Sequence, residues 1–314
     1  MKRMPAWAGD RLGLTAGANY RIHNGMNDTG GRLDHLGVLA VAGADALSFL
    51  QGQLTNDTRR LAAGAPLLAA YCSPQGRVWA VMHLLPRADG ALAILPRELV
   101  RPVLERLKKF VMRAKVTLDD LSDELAVGGR HAPGGRRSAA PAPFMKDGVL
   151  YGPVRPDSSR EWLVGVPARL AAMEAGAAGR AASGPDWRLA DIREGLPQVY
   201  ADTSELFVAQ MLNLDLIDGI SFSKGCFTGQ EIIARTQHLG RIKRRMHRLS
   251  LPQGDWHIGQ AIVLTDGRSG RLTELADTGD AFEALAVLTG DPGAGGTPVA
   301  ANELPLPYAL TAPT

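Results

Sequence analysis

One stretch of the chain, SFSKGCFTGQEIIAR from Ser221 to Arg235, places a thiol where the backbone can raise its reactivity. Cys226 is one of two cysteines in 314 residues, and it follows Lys224 and Gly225 directly. The next four residues after Phe227, TGQE, match the Ser/Thr-x-x-Glu capping box, in which Thr228 and Glu231 each satisfy a backbone N–H of the other's turn. Ile232 and Ile233 follow, so the spacing predicts a short helix that ends near Gly240. Cys226 then sits just ahead of a helix N-terminus and beside a cationic side chain, and both favour thiolate over thiol. Such a sulfur can act as a nucleophile or as a soft ligand, with Lys224 as its supporting charge. A histidine brought from elsewhere, such as His35, His83 or His247, is an open candidate for a base. Taken alone, the motif is explained at least as well by a buried cysteine in a glycine-flanked folding device.

The remaining composition narrows the setting. With 45% hydrophobic and 21% charged residues, the chain reads as an ordinary globular protein long enough for two or three domains. Cys72 and Cys226 are too few and too far apart for a disulfide framework or a cysteine metal site, which points to a reducing cytoplasm. No apolar run approaches the length a membrane helix needs, and the first thirty residues lack the apolar segment of a signal peptide. The net charge of +3 describes a solvated surface. RIKRRMHR, from Arg241 to Arg248, is the exception: five Arg/Lys and one His in eight residues can attract phosphates or carboxylates. It runs into an alternating pattern, so part of it can equally be the solvent face of a sheet.

The elements that must position these residues follow from periodicity. LGVLAVAG reads as a buried strand and ADALSFLQGQ as a short helix. APLLAAYCS and RVWAVMHLLPR are two strands joined by the turn SPQG, and ALAILP is a third. Leu99, Val103, Leu107, Phe110 and Val111 recur at helical spacing between Arg97 and Lys115. EWLVGVP is a strand, ARLAAMEAGAAGRAA an Ala-rich helix, and WRLADIREGLPQV a helix stopped by Gly195 and Pro197. From Met246 onward, apolar runs broken by Asp-Gly and Gly-Asp turns describe a small antiparallel barrel or sandwich. The expected organisation is a loose tail (1–30), a first α+β unit (31–117), a second α+β unit (118–185) and a return segment carrying the KGCFTGQE motif (186–243). A C-terminal β-barrel (244–314) completes it.

KGCFTGQEIIAR closely resembles the signature K-G-C-[FY]-[TI]-G-Q-E of the YgfZ family of folate-binding proteins, relatives of a mitochondrial iron–sulfur assembly factor. FLQGQLTND, CSPQGRV, LERLKKFVMRAKV, REGLP, FVAQMLNLDLIDGISFSKGC and FEALAVL resemble that family's blocks in the same order. The resemblance implies an α+β fold like that of the glycine-cleavage T-protein, a tetrahydrofolate-dependent aminomethyltransferase. Two α+β units would then ring a central channel, closed by the C-terminal barrel. It also implies tetrahydrofolate as ligand and a supporting role in iron–sulfur cluster assembly or repair, and through it in tRNA modification. Asn56, Asp57, Gln75, Arg77, Phe227 and Arg235 are its folate-anchor candidates, with Cys226 and Lys224 as the reactive pair. Iron–sulfur proteins or assembly factors would be partners, while direct tRNA binding would not be primary and no membrane is involved.

The departures from the transferase pattern matter. Its acidic positions match Ala80 and Val81 here, its E-A-G glutamate matches Arg193 with Glu194 one step along, and its K-x-D aspartate matches Cys226. Neither alanine nor valine can accept a proton, so the transferase reaction in its usual form is not expected. A one-carbon transferase in which Glu194 or Asp57 replaces the lost acid is the alternative.

Overall fold

The fold is that of a computed structural model in which residues 31–131, 142–155, 158–176, 184–239, 242–289 and 295–310 are described. The tail and most of the Pro/Gly-rich segment around residue 137 lie outside the described residues. The chain opens with β1 (Gly31–Arg32), β2 (Leu36–Ala42), α1 (Ala46–Gln53), α2 (Arg59–Ala62), β3 (Leu67–Cys72), β4 (Val78–Arg87) and β5 (Gly90–Pro96). There follow α3 (Arg97–Val111), β6 (Thr117–Asp120), β7 (Ala126–His131), β8 (Phe144–Lys146), β9 (Val149–Pro153), β10 (Arg160–Gly165) and α4 (Pro167–Gly176). The last part holds α5 (Gly184–Glu194), α6 (Gln230–Leu239), β11 (Arg244–Leu251), β12 (Ala261–Leu264), β13 (Ser269–Asp277), β14 (Phe282–Thr289), β15 (Thr297–Val299) and β16 (Asn302–Leu304). This is an α+β fold. Among the described residues no helix is long and apolar enough to cross a membrane.

The chain divides into two compact units. The first comprises residues 1–53, 57–68 and 82–184, and the second residues 54–56, 69–81 and 185–314. One five-stranded sheet has the order β3-β4-β5-β2-β6. Its β2 and β5 are buried at every position, as their unbroken apolar runs require. Helix α3 packs on β2, β5 and β6 through Leu99, Val100, Val103, Leu104 and Leu107. Phe110, expected in that stripe, is instead 48% exposed in the final turn, and Met112 at φ +42 ends the helix earlier than periodicity suggested. The first unit carries the sheet β1-β7-β10-β9-β8, inside which Arg130 and Glu161 pair at 2.7 Å with both side chains buried. The His83 ring lies 4.9 Å from that of Trp162 in a tilted arrangement, and burial pushes its imidazole down to about 3, so it is a neutral core residue.

In the second unit a six-stranded sheet of order β15-β12-β13-β14-β11-β16 carries a core cluster that includes Leu249, Leu251, Ile262, Leu272, Ala284, Ala286 and Leu288. Its pairs are antiparallel except β12 with β15, which run parallel. A bulge between Leu272 and Glu274 inserts one residue into β13 and re-aims the side chains that follow.

Candidate functional site

The KGCFTGQE motif is built into the second unit by contacts with two remote stretches. The segment 54–56 is fastened first. Leu54 bridges Tyr71, the Thr55 hydroxyl donates to the Gly219 carbonyl at 2.7 Å, and the Asn56 amide donates to the Asp218 carbonyl at 2.6 Å. Thr55 and Asn56 are fully buried. Lys224 then closes over this segment. Its Nζ donates to the carbonyls of Leu54 at 2.6 Å and Asn56 at 3.0 Å, and lies 4.8 Å from the centre of the Phe227 ring. Only 5% of Lys224 is exposed, so its charge is held by carbonyl dipoles and an aromatic face rather than by water.

The turn Ser73–Gly76 meets the start of α6. Gly229 has φ +83, and a Cβ there would lie 2.6 Å from the Ser73 carbonyl oxygen and 3.0 Å from Gly76 Cα. Gly76, at φ +70, is pressed against the Ile232 side chain in the same way. These two glycines are required both by the sign of φ and by close approach of backbone to backbone. Because Gly229 turns the chain, the helix begins at Gln230, and the frame of the cap moves. Gln230 Oε1 accepts from the Phe227 N–H at 3.3 Å, so the reach-back bond comes one residue before the expected Glu231. Glu231 itself is exposed.

Cys226 is exposed on the loop between Lys224 and this helix. Cys72, by contrast, is fully buried, and burial pushes its thiol up to about 12. Around the loop, Gln75 and Arg77 are exposed on the turn, and Arg77 Nη1 donates to the Leu206 carbonyl at 2.7 Å. Arg235 is exposed on α6, three residues on from Ile232 and so on the helix face that meets the turn. Phe227 is buried beneath the Lys224 ammonium. Asp57 belongs to the other unit, where Arg59 pairs with it at 2.6 Å and, with Gln51, holds its carboxyl well below the usual carboxylate range. Of the predicted site residues, Gln75, Arg77, Cys226 and Arg235 are thus exposed, whereas Asn56, Lys224 and Phe227 are buried in building the motif. Among the described residues no group of three His, Cys, Asp or Glu side chains is placed to hold a metal ion.

Compared with known proteins, the chain matches no family model. It is 34% identical over 226 residues to the tRNA-modifying protein YgfZ of Colwellia psychrerythraea, covering 68% of this chain and 69% of that one. The protein of the same name from Yersinia pestis is 30% identical over 269 residues, 75% of this chain and 80% of its own. The chain belongs to the YgfZ family. In fold it is similar to the glycine cleavage system aminomethyltransferase T from Bartonella henselae. The TM-score is 0.60 at 14% identity, over 83% of this chain and 78% of that chain.

Within this YgfZ-family chain, the positions that differ from the transferase pattern have clear structural settings. Ala80 and Val81 are fully buried in β4. Arg193 forks onto Glu283 of β14 at 2.7 Å, and Arg248 reaches the same carboxylate at 2.6 Å, so the REG arginine ties the end of α5 to the sheet. Gly195, at φ +64, leaves room for Tyr308, whose hydroxyl donates to the Gly195 carbonyl at 2.7 Å.

One polar cluster escaped the reading of the sequence. Tyr200 donates through its hydroxyl to Glu274 Oε2 at 2.7 Å, with both residues buried. The Arg188 guanidinium lies 5.4 Å from the Tyr200 ring centre. Burial raises the Glu274 carboxyl to about 7, against the opposing pull of Arg188, and Asp191 raises it further. The only trace in the sequence is a glutamate between Thr273 and Leu275 in a strand of mixed apolar and polar residues. That it faces inward follows from the bulge, which no pattern announces.

Proposed function

We propose that this protein is a tetrahydrofolate-binding accessory factor that supports iron–sulfur cluster assembly or repair in the cytoplasm, and through it tRNA-modifying enzymes. Cys226 is its working thiol. The observation that carries the reading is an exposed sulfur on a loop whose two ends are fixed. Lys224 anchors one side to the 54–56 carbonyls, and Gly229 locks the other against the Ser73–Gly76 turn. A fixed loop holds the sulfur in one place without burying it, which a purely packed cysteine does not need. Membership of the YgfZ family and the T-protein fold support the folate part of the reading.

The residues fit one end of a folate. Gln75, Arg77 and Arg235 are exposed and suit the acidic glutamate tail through charge-assisted bonds. Asn56 and Phe227 do not suit the pterin, since their side chains already hold the motif together. A bound folate supplies one-carbon chemistry; this chain contributes the tail contacts and the thiol. Ala80 and Val81 give no acid at the transferase positions, which weighs against an aminomethyltransferase. A single cysteine cannot hold a cluster, so Cys226 serves as a transient iron ligand together with thiols of a partner iron–sulfur protein.

The test is complementation in a strain lacking the protein, with a cluster-dependent tRNA-modifying enzyme as readout. Cys226→Ala is expected to leave enzyme activity at the level of the deletion while the variant accumulates normally. Full restoration by Cys226→Ala would remove the thiol from the mechanism. Calorimetry with tetrahydrofolate on the same variant separates the two halves of the reading, because Cys226→Ala should bind folate as wild type does.

A further inference from the structure

The basic run Arg241–Arg248 is divided by its own strand. Arg245 is buried and forks onto Asp215 at 2.6 Å and 2.8 Å, and its Nη1 also donates to the Gln210 carbonyl. Arg248 is held by Glu283. Lys243 and Arg244 are exposed, and Lys243 has no side-chain partner among the described residues. On the Lys243 side of β11 the surface sinks into an open depression of about 250 Å³. Its lining is of two kinds. Ile242, Leu288 and Leu310 are apolar, while Lys243, Arg245, His247 and Arg268 are basic.

Glu303 organises this lining. It accepts from His247 Nδ1 at 2.7 Å and from Arg268 Nη2 at 2.9 Å, and Asp266 takes Arg268 Nε at 2.8 Å. Both side chains are thereby held in one orientation, with His247 Nε2 and Arg268 Nη1 left over. Two permanent cations of the lining therefore keep donors, the Lys243 ammonium and Arg268 Nη1. Beside them lies an apolar patch. Oxyanions are recognised by such cationic donors, and the apolar portion accepts what the anion is attached to.

We propose that this depression is a phosphate-binding site for a phosphate ester that carries an apolar or aromatic group, either a nucleotide or the backbone of an RNA strand. Asp215, Asp266 and Glu303 offset Arg245 and Arg268, so the attraction rests on Lys243 with Arg244 beside it, and a single phosphate is held weakly. An RNA presenting several phosphates would gain from the neighbouring exposed cations. The site is independent of folate and of Cys226.

The experiment titrates the full-length protein at fixed ionic strength with AMP, with adenosine, and with an unmodified tRNA transcript. It uses wild type, Lys243→Glu, Arg268→Gln and, as a control far along the chain, Lys109→Glu on α3. Lys243 is exposed, so thermal melting should show Lys243→Glu folded. The expected result is binding of AMP or tRNA but not adenosine, weakened about tenfold or more by Lys243→Glu and unaffected by Lys109→Glu. Binding of tRNA without AMP assigns the phosphate to RNA, and binding of AMP alone assigns it to a free nucleotide. Neither ligand binding, adenosine binding as well as AMP, or equal weakening by Lys109→Glu would overturn the proposal.

Discussion

Lys224→Met distinguishes an anchor from a thiol activator. In the structure the ammonium satisfies two carbonyls of the buried 54–56 segment and rests on the Phe227 ring. Methionine keeps the stem and its packing but leaves those acceptors without this donor, at about 1–3 kcal/mol each. Loss of the cation–π contact adds about 1 kcal/mol, while relief from burying a charge offsets part of the total. The net loss is about 2–4 kcal/mol, which for a chain of this size lowers the melting temperature by roughly 3–6 °C. The companion assay is the rate at which iodoacetamide alkylates the folded protein at neutral pH. Cys72 is sealed and its thiol is pushed up to about 12, so Cys226 supplies the signal. If Lys224 is an anchor, melting falls while the alkylation rate moves by less than about threefold at temperatures where the variant is folded. An unchanged melting temperature with alkylation slowed tenfold would refute the argument and return Lys224 to the thiol.

Two further outcomes follow from the geometry. Gly229→Ala combines a left-handed φ, worth about 1–2 kcal/mol, with a Cβ only 2.6 Å from the Ser73 oxygen, so it should destabilise by about 3 kcal/mol or more in chemical denaturation. Gly225→Ala, with nothing within 4 Å of its added Cβ, should be near neutral, and equal losses at the two positions would contradict the packing of the turn on α6. Glu274 should make stability fall as pH rises. Burial raises its carboxyl in the fold from 4.5 to about 7, so the protonated form is favoured by folding. That contribution is fully present below about 4.5 and is lost as pH passes through about 7. Relative to wild type, Glu274→Gln should therefore gain up to about 3 kcal/mol between pH 5 and pH 8. Parallel stability curves for the two proteins would show that Glu274 is not the titrating group.

Which features were legible in the sequence depended on how far along the chain their causes lie. β2 and β5 are runs of apolar residues, and α3 carries its stripe at helical spacing, so local pattern suffices for each. The stop at Gly195 is also local, although the reason only glycine fits there is Tyr308, far downstream. The capping frame failed by one residue because a Ser/Thr-x-x-Glu match is blind to the sign of φ at Gly229, and that sign is imposed by Ser73 and Gly76. Lys224 shows the same limit in charge. Two positions from Cys226, it reads as the thiol's neighbour, yet its partners are carbonyls about 170 residues away. The basic run repeats the lesson: as letters it is one patch, but the strand alternates and Asp215, Glu283 and Glu303 claim Arg245, Arg248 and His247. What remains exposed is smaller than the run suggested: Lys243 at a lined depression, with Arg244 next to it in the chain. Long-range partners of charged side chains are thus the part of this site that local pattern cannot supply. They decide whether a lysine beside a cysteine activates it or merely holds the floor beneath it.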